Sequence, residues 1–159
     1  MRGRKALVTG ATGFIGGRLC EKLILSHGAE VRALVRNFAN ASRVARLDAE
    51  LQAGDVSDAR AVDEAVRGCD TVFHCAHDWH DPERNVTAVR LLADACRRHA
   101  VRRLVHVSSI SVYEPLPDGD VDESTRAEPS GFGYADNKLE TERIALRLGA
   151  ESGLPVTVV

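Results

Sequence analysis

The chain is short of lysine, of aromatic side chains and of cysteine, and it has no long apolar run. Lysine occurs only at Lys5, Lys22 and Lys138, within a total of 21 Lys and Arg, so each lysine stands out from an arginine-rich background. Tyrosine is rarer still, present only as Tyr113 and Tyr134. The four cysteines (Cys20, Cys69, Cys75 and Cys96) form no Cys-x-x-Cys pair, which excludes that redox or zinc arrangement and fits a reduced, cytoplasmic compartment. No segment approaches the ~20 apolar residues of a membrane span. The basic start Met1–Lys5 precedes an apolar stretch, but Gly10, Gly13, Gly16 and Gly17 interrupt it and Arg18 follows, so it does not read as a signal peptide. A net charge of −2 provides no overall attraction to nucleic acid or acidic membranes.

What is present is alternation. Short β-type runs at Ala6–Thr9, Val31–Val35, Leu51–Gly54, Thr71–Cys75, Leu104–Val107 and Val156–Val159 are separated by helical patterns. The helices are expected over Gly13–Ser26, Arg43–Leu47, Ala59–Arg67, Pro82 to about Ala100, and Tyr134–Ala150. Glycine and serine or aspartate punctuate them, with Gly28 as a stop and Ser57 or Asp58 as a cap. Strand–helix alternation over 159 residues predicts one α/β domain, a doubly wound parallel sheet covered on both faces. A loop rich in Pro, Gly, Asp and Ser over Glu114–Gly133 is long for such a domain and is expected to be functional or mobile.

The first strand–helix junction reads Thr9-Gly10-Ala11-Thr12-Gly13-Phe14-Ile15-Gly16. Gly10 permits a tight turn, Gly13 lets the backbone approach a pyrophosphate, and Gly16 allows close helix–strand packing. The helix N-terminus offers N–H groups and a partial positive charge to phosphate. At the end of the second strand, Ala33-Leu34-Val35-Arg36-Asn37 holds no acidic side chain to accept from a ribose 2′-OH. Arg36 suits a 2′-phosphate instead, so NADP(H) is expected in preference to NAD(H). Ser109 closes the fifth strand, where open α/β sheets bind ligands. Tyr134 and Lys138 lie one helical turn apart and share a face.

Thr9–Gly16, with Gly54-Asp55-Val56, His74-Cys75-Ala76-His77, Asn85, Val107-Ser108-Ser109 and Tyr134-x-x-x-Lys138, resembles the extended short-chain dehydrogenase/reductases of the NAD(P)-dependent epimerase/dehydratase family. The resemblance spans the chain and implies a Rossmann fold. It implies catalysis by Ser109 as orienter, Tyr134 as acid/base, and Lys138 on the tyrosine and the nicotinamide ribose. Ser109 is chosen over Ser108 and Ser111 because the family's serine lies four before the Val-Tyr tyrosine, here Tyr113. It implies a cofactor site of Gly10, Thr12, Gly13, Phe14, Ile15, Gly16, Arg36, Asp55, Val56, Ala76, His77, Tyr134 and Lys138, with Asp55 on the adenine amino group. The His74–Asp81 segment superficially suggests a metal site, but it matches the family's cofactor-contacting strand end, so no metal is expected.

Several positions depart from the family. His77 replaces an alanine, the segment from His77 to Asn85 is short, Thr87-Ala88 replaces Gly-Thr, and Glu114 follows Val112-Tyr113 in place of glycine. Ile110-Ser111 stands where sugar dehydratases carry Asp-Glu, which argues against water expulsion. The expected function is an oxidoreductase or epimerase acting on a nucleotide-sugar-like small molecule, homodimeric at full length. A carbonyl reductase of the dihydroflavonol or steroid type is the alternative, and a non-catalytic dinucleotide sensor a further one. Relatives continue beyond the sixth strand into a substrate-binding part. The sequence therefore reads as 1–159 of a nucleotide-binding half ending inside that strand, and alone it is expected to be marginally soluble and inactive.

Overall fold

The computed structural model describes residues 3–159. Six parallel strands form one sheet in the order β3-β2-β1-β4-β5-β6. They are β1 (Lys5–Thr9), β2 (Glu30–Val35), β3 (Ala49–Ala53), β4 (Thr71–His74), β5 (Arg103–His106) and β6 (Val156–Val158). The order reverses between β2-β1 and β4, which opens a crevice at the carboxyl ends of β1 and β4. β1 is central, with Ala6, Leu7, Val8 and Thr9 fully buried and paired on both sides.

Two apolar layers sandwich the sheet, and each strand alternates between them. On one face α1 (Phe14–Leu25) packs Cys20 and Leu23 on Val8, Val31 and Val35. Leu7, Val72 and Leu104 point the other way, onto Val62 and Val66 of α2 (Ala59–Val66) and Leu92 and Cys96 of α3 (Pro82–Arg98). α4 (Gly133–Ser152) packs beside α3 through Ile144 and Ala145 against Val86 and Val89.

The helix boundaries have local causes. Asp58 accepts from the Arg60 and Ala61 amides at the start of α2. Asp81 caps α3, with Pro82 at its first turn, where no amide partner is needed. Arg32, on β2, closes the other end of α2 by donating to the carbonyls of Ala65 (2.7 Å) and Arg67 (2.8 Å). α4 runs to Ser152, two residues beyond the expected end at Ala150, and Gly153 at φ 71° stops it.

The expected elements exist, with some different boundaries and types. The short helix expected at Arg43–Leu47 is a 3₁₀ turn, Val44–Arg46, preceded by another at Phe38–Asn40. Val44 is buried against the α1 layer, so tertiary packing holds a segment too short to form a stable α-helix. A further 3₁₀ turn, Ile110–Tyr113, directly follows Ser109 and redirects the chain away from β5. The third strand starts at Ala49, not Leu51, because ladder pairing with Val31 begins there. The Glu114–Gly133 loop is largely exposed, and its last residues are tied to α4 where Asp136 accepts from the amides of Ser130 (2.7 Å) and Gly131 (3.0 Å).

Candidate functional site

The crevice at the carboxyl edge of the sheet is a cleft of about 480 Å³, lined at one end by the glycine turn and at the other by Tyr134 and Lys138. Of the residues expected to hold a cofactor, Gly10, Thr12, Gly13, Phe14, Ile15, Gly16, Arg36, Asp55, Val56, Ala76, His77, Tyr134 and Lys138 all line it. They come from the ends of β1, β2, β3 and β4 and from α1 and α4.

The glycines have steric reasons to be there. A Cβ on Gly10, at φ 66°, would sit 2.6 Å from the Ala76 nitrogen, where the β1 turn passes β4. A Cβ on Gly16 would meet the Gly10 carbonyl oxygen at 2.3 Å. The N-cap of α1 is Gly13, with no side-chain cap and no acidic residue in the first turn. First-turn amides of α1 are thus left for an anion from outside, which fits a dinucleotide pyrophosphate.

At the far end, Lys138 is buried and its Nζ donates to the Val107 carbonyl at 2.9 Å. Burial pulls its pKa below the usual lysine value, against a smaller opposing influence of Cys75. Tyr134 lies one turn earlier on α4 and stacks on Trp79, with ring centroids 4.7 Å apart and planes 14° apart. His77 meets Tyr134 edge-on at 5.2 Å and Trp79 at 5.0 Å. Burial, helped by the Lys138 charge, lowers the His77 pKa to about 4, so a neutral imidazole faces the tyrosine at neutral pH. Phe132 adds an edge at 6.4 Å. Trp79 and Phe132 are exposed, forming an aromatic shelf beside the tyrosine.

Ser109 is not among the cleft-lining side chains. It caps the Ile110–Tyr113 turn, its Oγ accepting from the Ser111 amide at 3.2 Å, which leaves its own O–H free to donate. Ser108 lines the cleft instead and donates to Glu142 at 2.6 Å.

Asp55 takes part in a contact absent from the sequence reading. One carboxylate oxygen accepts from the Ser57 amide (2.9 Å) and hydroxyl (2.7 Å), and the other accepts from Arg84 at 2.5 Å. Burial acts to raise its pKa, but these bonds outweigh it and leave the carboxyl below the usual range. Arg84, Asp78 and Trp79 are the functional candidates that sequence reasoning missed. Arg84 meets Asp55 across 29 residues, a pairing that no local pattern signals.

The His74–Asp81 segment splits as a strand end should. His74 is buried with Thr9 Oγ1 2.8 Å from its Nδ1, while Cys75 packs into the opposite layer. Among the described residues no three His, Cys, Asp or Glu side chains come together as a metal site, and no helix is long and apolar enough to cross a membrane.

Residues 6–159 match the model of the NAD dependent epimerase/dehydratase family. The chain is similar to the sterol demethylase protein B of Methylococcus capsulatus, 34% identical over 96% of this chain and 49% of that protein. It is 32% identical to a dihydroflavonol 4-reductase of Zea mays, over 96% of this chain and 50% of that one. A crystal structure of a dTDP-glucose 4,6-dehydratase double mutant from Streptomyces venezuelae, with NAD and DAU bound, superposes with a TM-score of 0.86 at 30% identity, covering 99% of this chain and 54% of that one. The chain thus spans about half the length of the curated relatives it matches.

Proposed function

The chain belongs to the NAD dependent epimerase/dehydratase family, and from that premise we propose that it is the nucleotide-binding part of an enzyme that moves a hydride between a nicotinamide and a carbinol or carbonyl carbon, with Ser109, Tyr134 and Lys138 as the catalytic set. The observation that carries this reading is that one cleft joins the uncapped α1 turn to Tyr134 and buried Lys138.

When bound, the nicotinamide supplies or accepts the hydride. The Tyr134 hydroxyl gives the matching proton to the carbonyl oxygen, or takes it from the hydroxyl in the reverse direction. Lys138 places a charge one turn away, where it favours the phenolate and can reach the ribose. Ser109 has an O–H to spare and orients the substrate oxygen. Gly10, Gly13 and Gly16 admit the pyrophosphate, and Arg36 faces the adenosine end. There it favours NADP(H), because a guanidinium pairs with a 2′-phosphate in a charge-assisted fork. A dinucleotide sensor would need no proton donor, so the Ser109, Tyr134 and Lys138 set supports an enzyme.

The substrate reading is a nucleotide-sugar-like molecule. One observation favours a second reading, reduction of a flat apolar ketone: the exposed shelf of Trp79 and Phe132 beside Tyr134. Self-association fits the shallow groove between α3 and α4, where Leu91 and Leu148 lie among Arg90, Asp94 and Arg97. A reduced compartment fits the four unpaired cysteines.

The test uses the single tryptophan, Trp79, as a reporter inside the cleft. Adding NADPH should quench its emission by transfer to the nicotinamide, with a lower Kd than for NADH. Arg36→Ala should weaken NADPH binding about tenfold or more, the cost of a charge-assisted pair. Equal affinities in the wild type would sink the NADP reading. Turnover assays of the full-length enzyme with nucleotide sugars and with flat aromatic ketones then separate the two substrate readings.

A further inference from the structure

The adenosine end of the cleft holds four charged side chains in a line. Arg36 Nη1 lies 3.8 Å from Asp78 Oδ2. The same Asp78 oxygen lies 3.4 Å from Arg84 Nε. Arg84 Nη2 in turn donates to Asp55 at 2.5 Å. Two guanidinium groups alternate with two carboxylates, so the quartet is neutral overall. All four residues line the cleft.

Asp78 divides its carboxylate between two tasks. Oδ1 accepts from the amides of His80 (3.0 Å) and Asp81 (3.3 Å), which shapes the turn before α3. Oδ2 is left for Arg36 and Arg84. The backbone around it is fixed as well. Asn85 accepts from the Asp78 amide at 2.7 Å and donates to its carbonyl at 2.8 Å, and Asn137 of α4 holds Asn85 at 2.8 Å. The carboxylate cannot swing clear without breaking this turn. An anion that approaches Arg36 meets a guanidinium that already faces Asp78 Oδ2.

We propose that Asp78 is a specificity-determining residue for the nucleotide: it competes with a 2′-phosphate for Arg36 and, through Arg84, keeps the adenosine end electrically neutral, so that discrimination for NADP(H) over NAD(H) is curtailed. The inference rests on the reading that Arg36 faces the 2′-phosphate. A dianionic phosphate is repelled by a nearby carboxylate, whereas a neutral ribose hydroxyl is not, and an asparagine amide oxygen can accept from that hydroxyl as the carboxylate does. Removing the Asp78 charge therefore acts on NADPH and leaves NADH almost unchanged.

Asp78→Asn is the informative substitution, because it keeps an Oδ1 acceptor for the His80 and Asp81 amides and removes only the charge. The experiment is calorimetric titration of the purified chain with NADPH, NADH, 2′,5′-ADP and 5′-AMP. The last two differ by the 2′-phosphate alone. Wild type, Asp78→Asn, Arg36→Gln and the double variant are compared, with circular dichroism to confirm that each is folded. Asp78→Asn should tighten NADPH and 2′,5′-ADP about tenfold, the size of a modest charge–charge interaction in a partly solvated cleft, and shift NADH and 5′-AMP less than about twofold. In the Arg36→Gln background the gain should fall below about threefold, since Asp78 acts through Arg36. An Asp78→Asn change that is absent, or equal for phosphorylated and unphosphorylated ligands, overturns the inference. If Arg36→Gln is itself unselective between the ligands, the underlying reading of Arg36 fails and the inference falls with it. A misfolded Asp78→Asn would leave Arg84→Gln to decide, with a selective loss of 2′,5′-ADP affinity expected and an unselective one overturning the proposal.

Discussion

Replacing His106 with leucine should make the fold more tolerant of acid. His106 on β5 is the register partner of His74 on β4, their ring centroids 5.3 Å apart, and it is only 2% exposed. Neither of its ring nitrogens has a hydrogen-bond partner among the described residues. Burial, chiefly, with smaller contributions from Lys138 and His77, lowers its pKa to about 4. In the unfolded chain the same imidazole titrates near its ordinary value of about 6.5. Between these two values the unfolded state binds a proton that the folded state refuses. Stability is therefore undiminished above about pH 6.5 and is lost progressively as the pH falls toward 4. At pH 5 the loss from this one residue amounts to about 2 kcal/mol, and it approaches about 3 kcal/mol below pH 4. Fully buried His74 is pushed down in the same direction, by burial and then by His106, so removing His106 also eases His74.

Leucine is close to histidine in volume and needs no partner. At neutral pH the variant should be as stable as the wild type or more so, since an unpartnered buried polar group costs about 1–3 kcal/mol. Urea unfolding followed by far-ultraviolet circular dichroism at pH 7.5 and pH 5 measures both effects. The wild type should lose about 2 kcal/mol more than His106→Leu between the two conditions. Identical losses would refute the reasoning, since they would mean that His106 does not titrate differently in the folded state.

Three further substitutions probe other parts of the argument. Gly16→Ala should cost about 1–3 kcal/mol in a thermal melt, because the new methyl meets a backbone carbonyl at 2.3 Å, and a melt unchanged from wild type would show that α1 can move away from the turn. Lys138→Met should weaken NADPH binding measurably and, in the full-length enzyme, remove most turnover; retention of both would dismiss the lysine from the site. Asp58→Ala removes the acceptor for the Arg60 and Ala61 amides and should cost about 1 kcal/mol in urea unfolding. Nucleotide affinity should not change there, since Asp58 lies outside the cleft.

The sequence by itself determined the alternation of strands and helices, because periods of two and of 3.6 residues are written locally. It also determined the glycine turn, since only residues without a Cβ fit where the β1 turn passes Ala76 and where α1 meets Gly10. Lys138 and Tyr134 could be paired from spacing alone, as a helix places positions four apart on one face. Local signals failed where a long-range contact decided the outcome. The segment Arg43–Leu47 has a helical pattern but too few residues to nucleate, and burial of Val44 fixes it as a 3₁₀ turn. Asp55 looked free to meet an adenine, yet Arg84, 29 positions away, occupies one of its oxygens. Arg36 looked like an uncontested cation, yet Asp78 stands 3.8 Å from it. Trp79, in the loop between β4 and α3, gave no sign of stacking on Tyr134 of α4. Charge and ring pairings of this kind depend on which strand ends the sheet order brings together, and that order exists only in the folded chain.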